Sequence, residues 1–172
     1  MSDGLTYIVT GGAGFVGSNL VAELYRRDPD ADVRVVDDFR SGSFANLVEA
    51  CERAGVGPFR GSVIPESSAD VNLAGAVDAL EPGAVFHLGA ITDTTLESER
   101  EMIHANTEGF DELVDACADA GVPRVYARSA AAYGTPPPSR ARGPFPVGAA
   151  GAPSNVYGFS KWLMECSHAR IA

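Results

Sequence analysis

The sequence predicts an α/β fold, a doubly wound parallel sheet, on three observations. Short runs rich in β-branched residues alternate with amphipathic helical patterns, a glycine-rich turn joins the first strand directly to the first helix, and an aspartate closes the second strand. Strict alternation of strand and helix requires parallel strands linked by right-handed crossovers. In such sheets ligands gather at the carboxyl ends of the strands.

The expected strands are Leu5–Val9, Val33–Val36, Pro58–Arg60, Ala84–Leu88 and Arg124–Ala127. Between them the spacing predicts helices over Phe15–Arg27, Phe44–Ala54, Ala69–Leu80 and Glu97–Ala120. In the first, Phe15, Val16, Leu20, Val21, Leu24 and Tyr25 share one face. From Gly134 to Ser154 both periods vanish into a Pro/Gly/Ala stretch, expected to be a long surface loop. A last helical pattern starts near Val156 and meets no glycine or proline before Ala172, so the chain is expected to end within that helix.

With 172 residues, 45% of them hydrophobic, a single domain over residues 1–172 is expected. The formal charge of −10 argues against nucleic acid as a partner, because a phosphate backbone needs a basic surface. Cys51, Cys117 and Cys166 are odd in number and lack metal-ligand spacing, which predicts no metal site and a reducing, cytoplasmic setting. No leader-like segment precedes Leu5 and no apolar run reaches the roughly 18 residues of a bilayer span, so no membrane association is expected.

Gly11, Gly14 and Gly17 form GxxGxxG after the strand YIVT and before an apolar helix. Glycine there permits a tight turn, close approach of the backbone to a pyrophosphate, and close packing of helix on strand. The helix N-terminus, opening with Phe15 and Val16, offers N–H groups to an anion. Asp37 closes VRVVD about 20 residues beyond Gly17, where a carboxylate can accept from both adenosine ribose hydroxyls and repel a 2′-phosphate. NAD is therefore favoured over NADP, with Asp38 adding negative charge and Arg40 close by.

Tyr157 and Lys161 lie four residues apart in YGFSK, one turn apart on one helix face. The chain has 12 arginines and Lys161 is its only lysine, so a compact ammonium is used here alone. A free tyrosine ionises near pH 10, and a basic tyrosine at neutral pH needs roughly 4 kcal/mol of differential stabilisation, which a neighbouring ammonium helps supply. Ser129, after the fifth strand, is placed to hydrogen-bond an oxygen at a reacting carbon. Asn106 interrupts the apolar stripe Ile103, Phe110, Leu113, Val114 and Cys117; it either braces the helix near the site or bonds a neighbouring backbone group. His87 reads as a packed histidine and Trp162 as core or interface packing.

TGGAGFVGSN, VVDDF, VFHLGA, SAAAYG and NVYGFSK together resemble the extended short-chain dehydrogenase/reductase family, in particular its NAD-dependent sugar-nucleotide epimerases and dehydratases. LGAITDTT, MIHANT and NVYGFSKWLME look most like the ADP-glyceromanno-heptose 6-epimerase branch. The resemblance implies a Rossmann domain and an epimerase of nucleotide sugars. Tyr157 would remove a hydroxyl proton while the carbon gives hydride to NAD or NADP, Ser129 would position the oxygen, and Lys161 would hold the nicotinamide ribose. It further implies that Val63, Leu88, Gly89, Ala90 and Asn106 line the cofactor, and that a homodimer forms through the fourth helix and the Tyr157 helix. An Asp-Glu pair is missing after Ser129, where Ala130 and Ala131 stand, which argues against a dehydratase. Ser62 and Arg128 depart from the family pattern, as does the lack of an acid near Val147. Members run to about twice this length, so the substrate-binding half is expected to lie outside these residues, leaving a cofactor-binding module as the alternative to an active enzyme.

Overall fold

A computed structural model describes residues 4–134 and 153–171. The expected loop over Gly134–Ser154, with Val147, falls outside the described residues from 135 to 152. Five parallel strands form one sheet: β1 (Thr6–Thr10), β2 (Asp32–Val36), β3 (Ser62–Ile64), β4 (Ala84–His87) and β5 (Arg124–Tyr126). Their spatial order is β3-β2-β1-β4-β5, so β1 is central and the chain reverses direction across the sheet between β1 and β4. The helices are α1 (Phe15–Arg27), α2 (Phe44–Ala54), α3 (Leu73–Leu80), α4 (Glu99–Thr107), α5 (Phe110–Asp119) and α6 (Val156–Ile171), with a 3-10 turn at Ala130–Tyr133.

Each central strand is buried on both faces, which is why these runs read as continuously apolar instead of alternating. Val9, Val33 and Val35 pack with Val21, Tyr25 and Leu47 of α1 and α2. Their neighbours Ile8, Val36 and Val85 pack on the opposite face with Val77 and Leu113 of α3 and α5. A smaller cluster, Phe110, Val114 and Met164, seats α6 on α5.

Three expectations are corrected. The third strand is Ser62–Ile64, not Pro58–Arg60: Phe59 instead packs beside Phe44 and Tyr25, and the β-branched pair Val63 and Ile64 enters the sheet. The third helix begins at Leu73, because the Asn72 side chain accepts from Gly75 N at 2.9 Å and caps it there. The long fourth helix is two helices, broken where Gly109 takes φ 70°, a left-handed conformation that costs glycine little. The 3-10 turn after β5 had no counterpart among the expected elements; Ser129 caps it by accepting from Ala131 N at 3.2 Å.

His87 occupies the buried end of β4, against the Phe110 ring and bonded through Nδ1 to Thr10 Oγ1 at 3.2 Å. Burial, aided by the charge of Lys161, holds its imidazole down at about 3. An unfolded histidine takes its proton near pH 6.5, so between that pH and about 3 the unfolded chain binds the extra proton and stability falls as pH falls. The slope from this one group is at most about 1.4 kcal/mol per pH unit. Urea midpoints measured at pH 7, 5 and 4 should decline more steeply for the wild type than for His87→Gln; parallel declines would mean that His87 is not buried neutral.

Candidate cofactor cleft and catalytic cluster

A cleft of about 450 Å³ opens at the carboxyl ends of β1, β2 and β4, within the size range of ligand sites. Its floor is the glycine turn, and the three glycines have different reasons to lack a side chain. A Cβ on Gly11, at φ 65°, would lie 2.7 Å from Gly89 N, and one on Gly17 would lie 2.1 Å from Gly11 O. A Cβ on Gly14 would meet only Gly11 O, at 3.3 Å, so its free side faces the cleft and leaves the backbone open to a close-approaching group. Gly14 is also the N-cap of α1 and supplies no side-chain cap, so the first-turn N–H groups point toward the cleft uncapped by a side chain. With the helix dipole they favour an anion such as a pyrophosphate. Phe15 and Val16, 83% and 65% exposed, stand at its rim although the helical pattern had placed them on the apolar face.

Asp37 and Asp38 both line the cleft. The buried Asp37 carboxylate accepts from Ala13 N at 2.8 Å through Oδ2 and from Phe39 N at 2.9 Å through Oδ1. It therefore ties the glycine turn to the end of β2, and each oxygen retains a lone pair for a further donor. Asp38 is exposed and pairs with Arg40, whose Nη1 also reaches Glu101 Oε1 at 2.5 Å. Asp38 and Glu101 thus both oppose the positive charge of Arg40 at this side of the cleft.

The opposite wall holds Leu88, Gly89 and Ala90 as expected, and also Ile91, Thr92 and Asp93, which the motifs did not reveal. Gly89 N donates to Thr10 Oγ1 at 2.9 Å, joining the two walls across β1 and β4. Val63 is not a wall residue: it packs into the core beneath, and Glu66, Ser67 and Ser68 take its place in the cleft. The cause is the shift of β3, which moves the strand's carboxyl end four residues along the sequence. Asn106 also stays off the wall, 1% exposed, and acts through Ile91. Its Oδ1 accepts from Ile91 N at 2.7 Å, while Nδ2 donates to Ile91 O at 3.1 Å and to Ser160 Oγ at 3.0 Å. Both readings of this amide thus hold at once, for it bonds loop backbone and braces α4 against α6.

Beyond this wall, α6 crosses the 3-10 turn so closely that a Cβ on Gly158 would lie 2.4 Å from Ala131 O. That approach sets the first turn of α6, which carries Tyr157, beside the 3-10 turn that Ser129 caps. Asn155 Oδ1 accepts from Gly158 N at 2.7 Å and caps the first turn of α6. Since Ser129 Oγ accepts from Ala131 N, its own proton remains available to donate. Lys161 is buried and its Nζ lies 3.6 Å from Met164 Sδ; burial lowers the ammonium to about 8. Trp162 rests against Phe159. Among the described residues no cluster of three potential metal ligands occurs, and no helix is long and apolar enough to cross a membrane.

A family model described as the NAD dependent epimerase/dehydratase family matches residues 7–169. The chain is 42% identical over 164 residues to ADP-L-glycero-D-manno-heptose-6-epimerase from Alkalilimnicola ehrlichii, a match covering 92% of this chain and 45% of that one. A crystal structure of ADP-L-glycero-D-manno-heptose-6-epimerase from Helicobacter pylori is 33% identical with a TM-score of 0.71, over 95% of this chain and 51% of the other. The Bordetella bronchiseptica enzyme WbmG, crystallised with NAD, is 29% identical with a TM-score of 0.74, over 99% and 51%. The chain spans about half the length of the relatives it matches. The glycine turn, the acid at the end of β2, Tyr157 and Lys161 all fall inside the matched span, and the chain belongs to the NAD dependent epimerase/dehydratase family.

Proposed function

We propose that this chain is the cofactor-binding and proton-transfer half of a sugar-nucleotide epimerase that uses NAD, with an ADP-heptose acted on at carbon 6 as the favoured substrate. The observation that carries the reading is the only lysine of the chain, buried one helical turn after Tyr157 on a helix pressed against the Ser129 segment. Family membership and the 42% identity to a heptose 6-epimerase support the substrate class.

The cleft residues fit a dinucleotide: uncapped N–H groups of α1 for the pyrophosphate, the open face of Gly14 for its approach, and Asp37 for the adenosine ribose. Bound NAD supplies reversible acceptance of hydride from a sugar carbon. The chain's own residues handle the proton and the geometry. Ser129 would donate to the sugar oxygen, and Tyr157 would take the hydroxyl proton of the reacting carbon and later return it to the same oxygen. Lys161 holds the nicotinamide ribose and stabilises the tyrosinate by its charge.

The cleft at the carboxyl ends of the strands, lined by the glycine turn and Asp37, also supports a second reading, a module that binds NAD without turning over a sugar. Turnover of ADP-heptose by polypeptide carrying this chain, assayed for wild type and Tyr157→Phe, distinguishes the two. Loss of at least about a hundredfold in kcat, with NADH affinity retained, is expected for the variant. Equal turnover by both proteins would overturn the tyrosine mechanism, whereas NAD binding with no turnover by either would establish the module.

Asp37 yields a separate expectation. Asp37→Asn keeps an acceptor for Ala13 N and removes the charge. Calorimetry should show NAD binding weakened about tenfold, the scale of one charge-assisted hydrogen bond, and a smaller gap between NAD and NADP. An unchanged preference would remove Asp37 from cofactor discrimination.

A further inference from the structure

Arg128, a departure from the family pattern, follows β5 and immediately precedes Ser129. Its Nε donates to Glu165 Oε1 at 2.9 Å and its Nη2 lies 2.6 Å from Glu165 Oε2, while Nη2 also donates to the Tyr133 hydroxyl at 2.7 Å. One guanidinium therefore joins the end of β5, the 3-10 turn and α6. Glu165 is 3% exposed and stands one turn after Lys161, itself 2% exposed. A buried carboxylate and a buried ammonium at this spacing are natural partners, yet the Lys161 ammonium contacts the Met164 thioether and the carboxylate goes to Arg128. Glu165 Oε2 makes no hydrogen bond of good geometry, so the carboxylate has capacity left for another donor.

We propose that Arg128 is a positioning residue: it holds the Glu165 carboxylate away from Lys161 and locks the Ser129 segment to α6, leaving the Lys161 ammonium for Tyr157 and the nicotinamide ribose. The inference rests on the role given to Lys161 under the proposed function. On its own helix Lys161 has Tyr157 and Glu165 one turn to either side, His87 of β4 feels its charge, and Glu165 in turn is held by Arg128, which also bonds Tyr133. From α4 comes the neutral amide of Asn106, and α5 meets α6 farther along through the Asp115–Arg170 pair. Glu165 is therefore the one carboxylate among the groups named here that sits a single turn from the ammonium, and Arg128 is its counter-charge. Burial without a carboxylate partner is consistent with the lowered ammonium described above.

Because Lys161 is the only lysine, protein labelled with 13C-lysine gives a single side-chain Cε resonance, and its pH titration reports this ammonium directly. In the wild type the midpoint should fall near 8, well below the roughly 10.4 of a free lysine. Arg128→Met should raise it by about one pH unit or more, a tenfold change in proton affinity, as Glu165 turns to Lys161. Glu165→Gln, and the double variant Arg128→Met/Glu165→Gln, should stay close to the wild-type midpoint. An unmoved midpoint in folded Arg128→Met, or a large shift in Glu165→Gln, would overturn the proposal. If Arg128→Met fails to fold, folding of the double variant supports it, since the lone buried carboxylate is then the fault; failure of both would assign Arg128 a packing role only. The titration needs no turnover, so the fate of the epimerase reading in the Tyr157→Phe assay is decided separately.

Discussion

Contacts that only hydrogen can make determine where everything else at this end of the sheet can stand. Gly17 sits against the Gly11 carbonyl, Gly11 against the Gly89 backbone, and Gly158 against the Ala131 carbonyl. The first closes α1 onto β1, the second closes the β4 loop onto the glycine turn, and the third closes α6 onto the 3-10 turn. A methyl group at any of the three would overlap backbone atoms, which cannot rotate away as a side chain can. The cleft and the packing of α6 on the 3-10 turn are thus set by backbone-to-backbone distances, and side chains such as Asp37 and Asn106 then fasten the loops in the positions those distances allow.

The electrostatics follow the same division. A chain with net charge −10 still presents a local site for anions, because the attraction comes from peptide N–H groups at the start of α1 and not from cationic side chains. The one lysine is buried, at a cost in hydration that the surrounding fold must offset. Asn106 connects the two regions through neutral bonds alone, gripping Ile91 in the cleft wall and Ser160 beside Lys161. A charged residue in that position would have placed a competing field next to the ammonium.

Much of this was legible in the sequence wherever local chemistry decides structure. The bounds of α1 and α2, the glycine turn and the Tyr157/Lys161 spacing needed only periodicity and residue type. The break at Gly109 was harder to read, since an isolated glycine within an otherwise continuous helical stripe can be tolerated at a cost of about 1 kcal/mol. The third strand was misplaced because Phe59 is equally suited to a strand and to the aromatic contact it makes outside the sheet. Val63 was expected in the cleft from the family resemblance alone, whereas Glu66, Ser67 and Ser68 lie beyond the true end of β3, where no motif pointed. The pairing of Arg128 with Glu165 joins residues 37 positions apart on elements that no local signal brings together.

The strand order also constrains how the chain reaches this structure. Tyr7 pairs with Val33 and, on its other side, with Ala84. The first three strands can therefore assemble through short crossovers, while the central strand keeps one edge unpaired until Ala84–His87 is available. Closing that longer loop carries the larger entropic cost and tends to be the slower step. As the polypeptide emerges from the ribosome, the floor of the cleft can form before the wall containing Gly89, and the helix bearing Lys161 comes after both in chain order. The buried lysine on α6 is thus fitted against a sheet whose central strands are already paired.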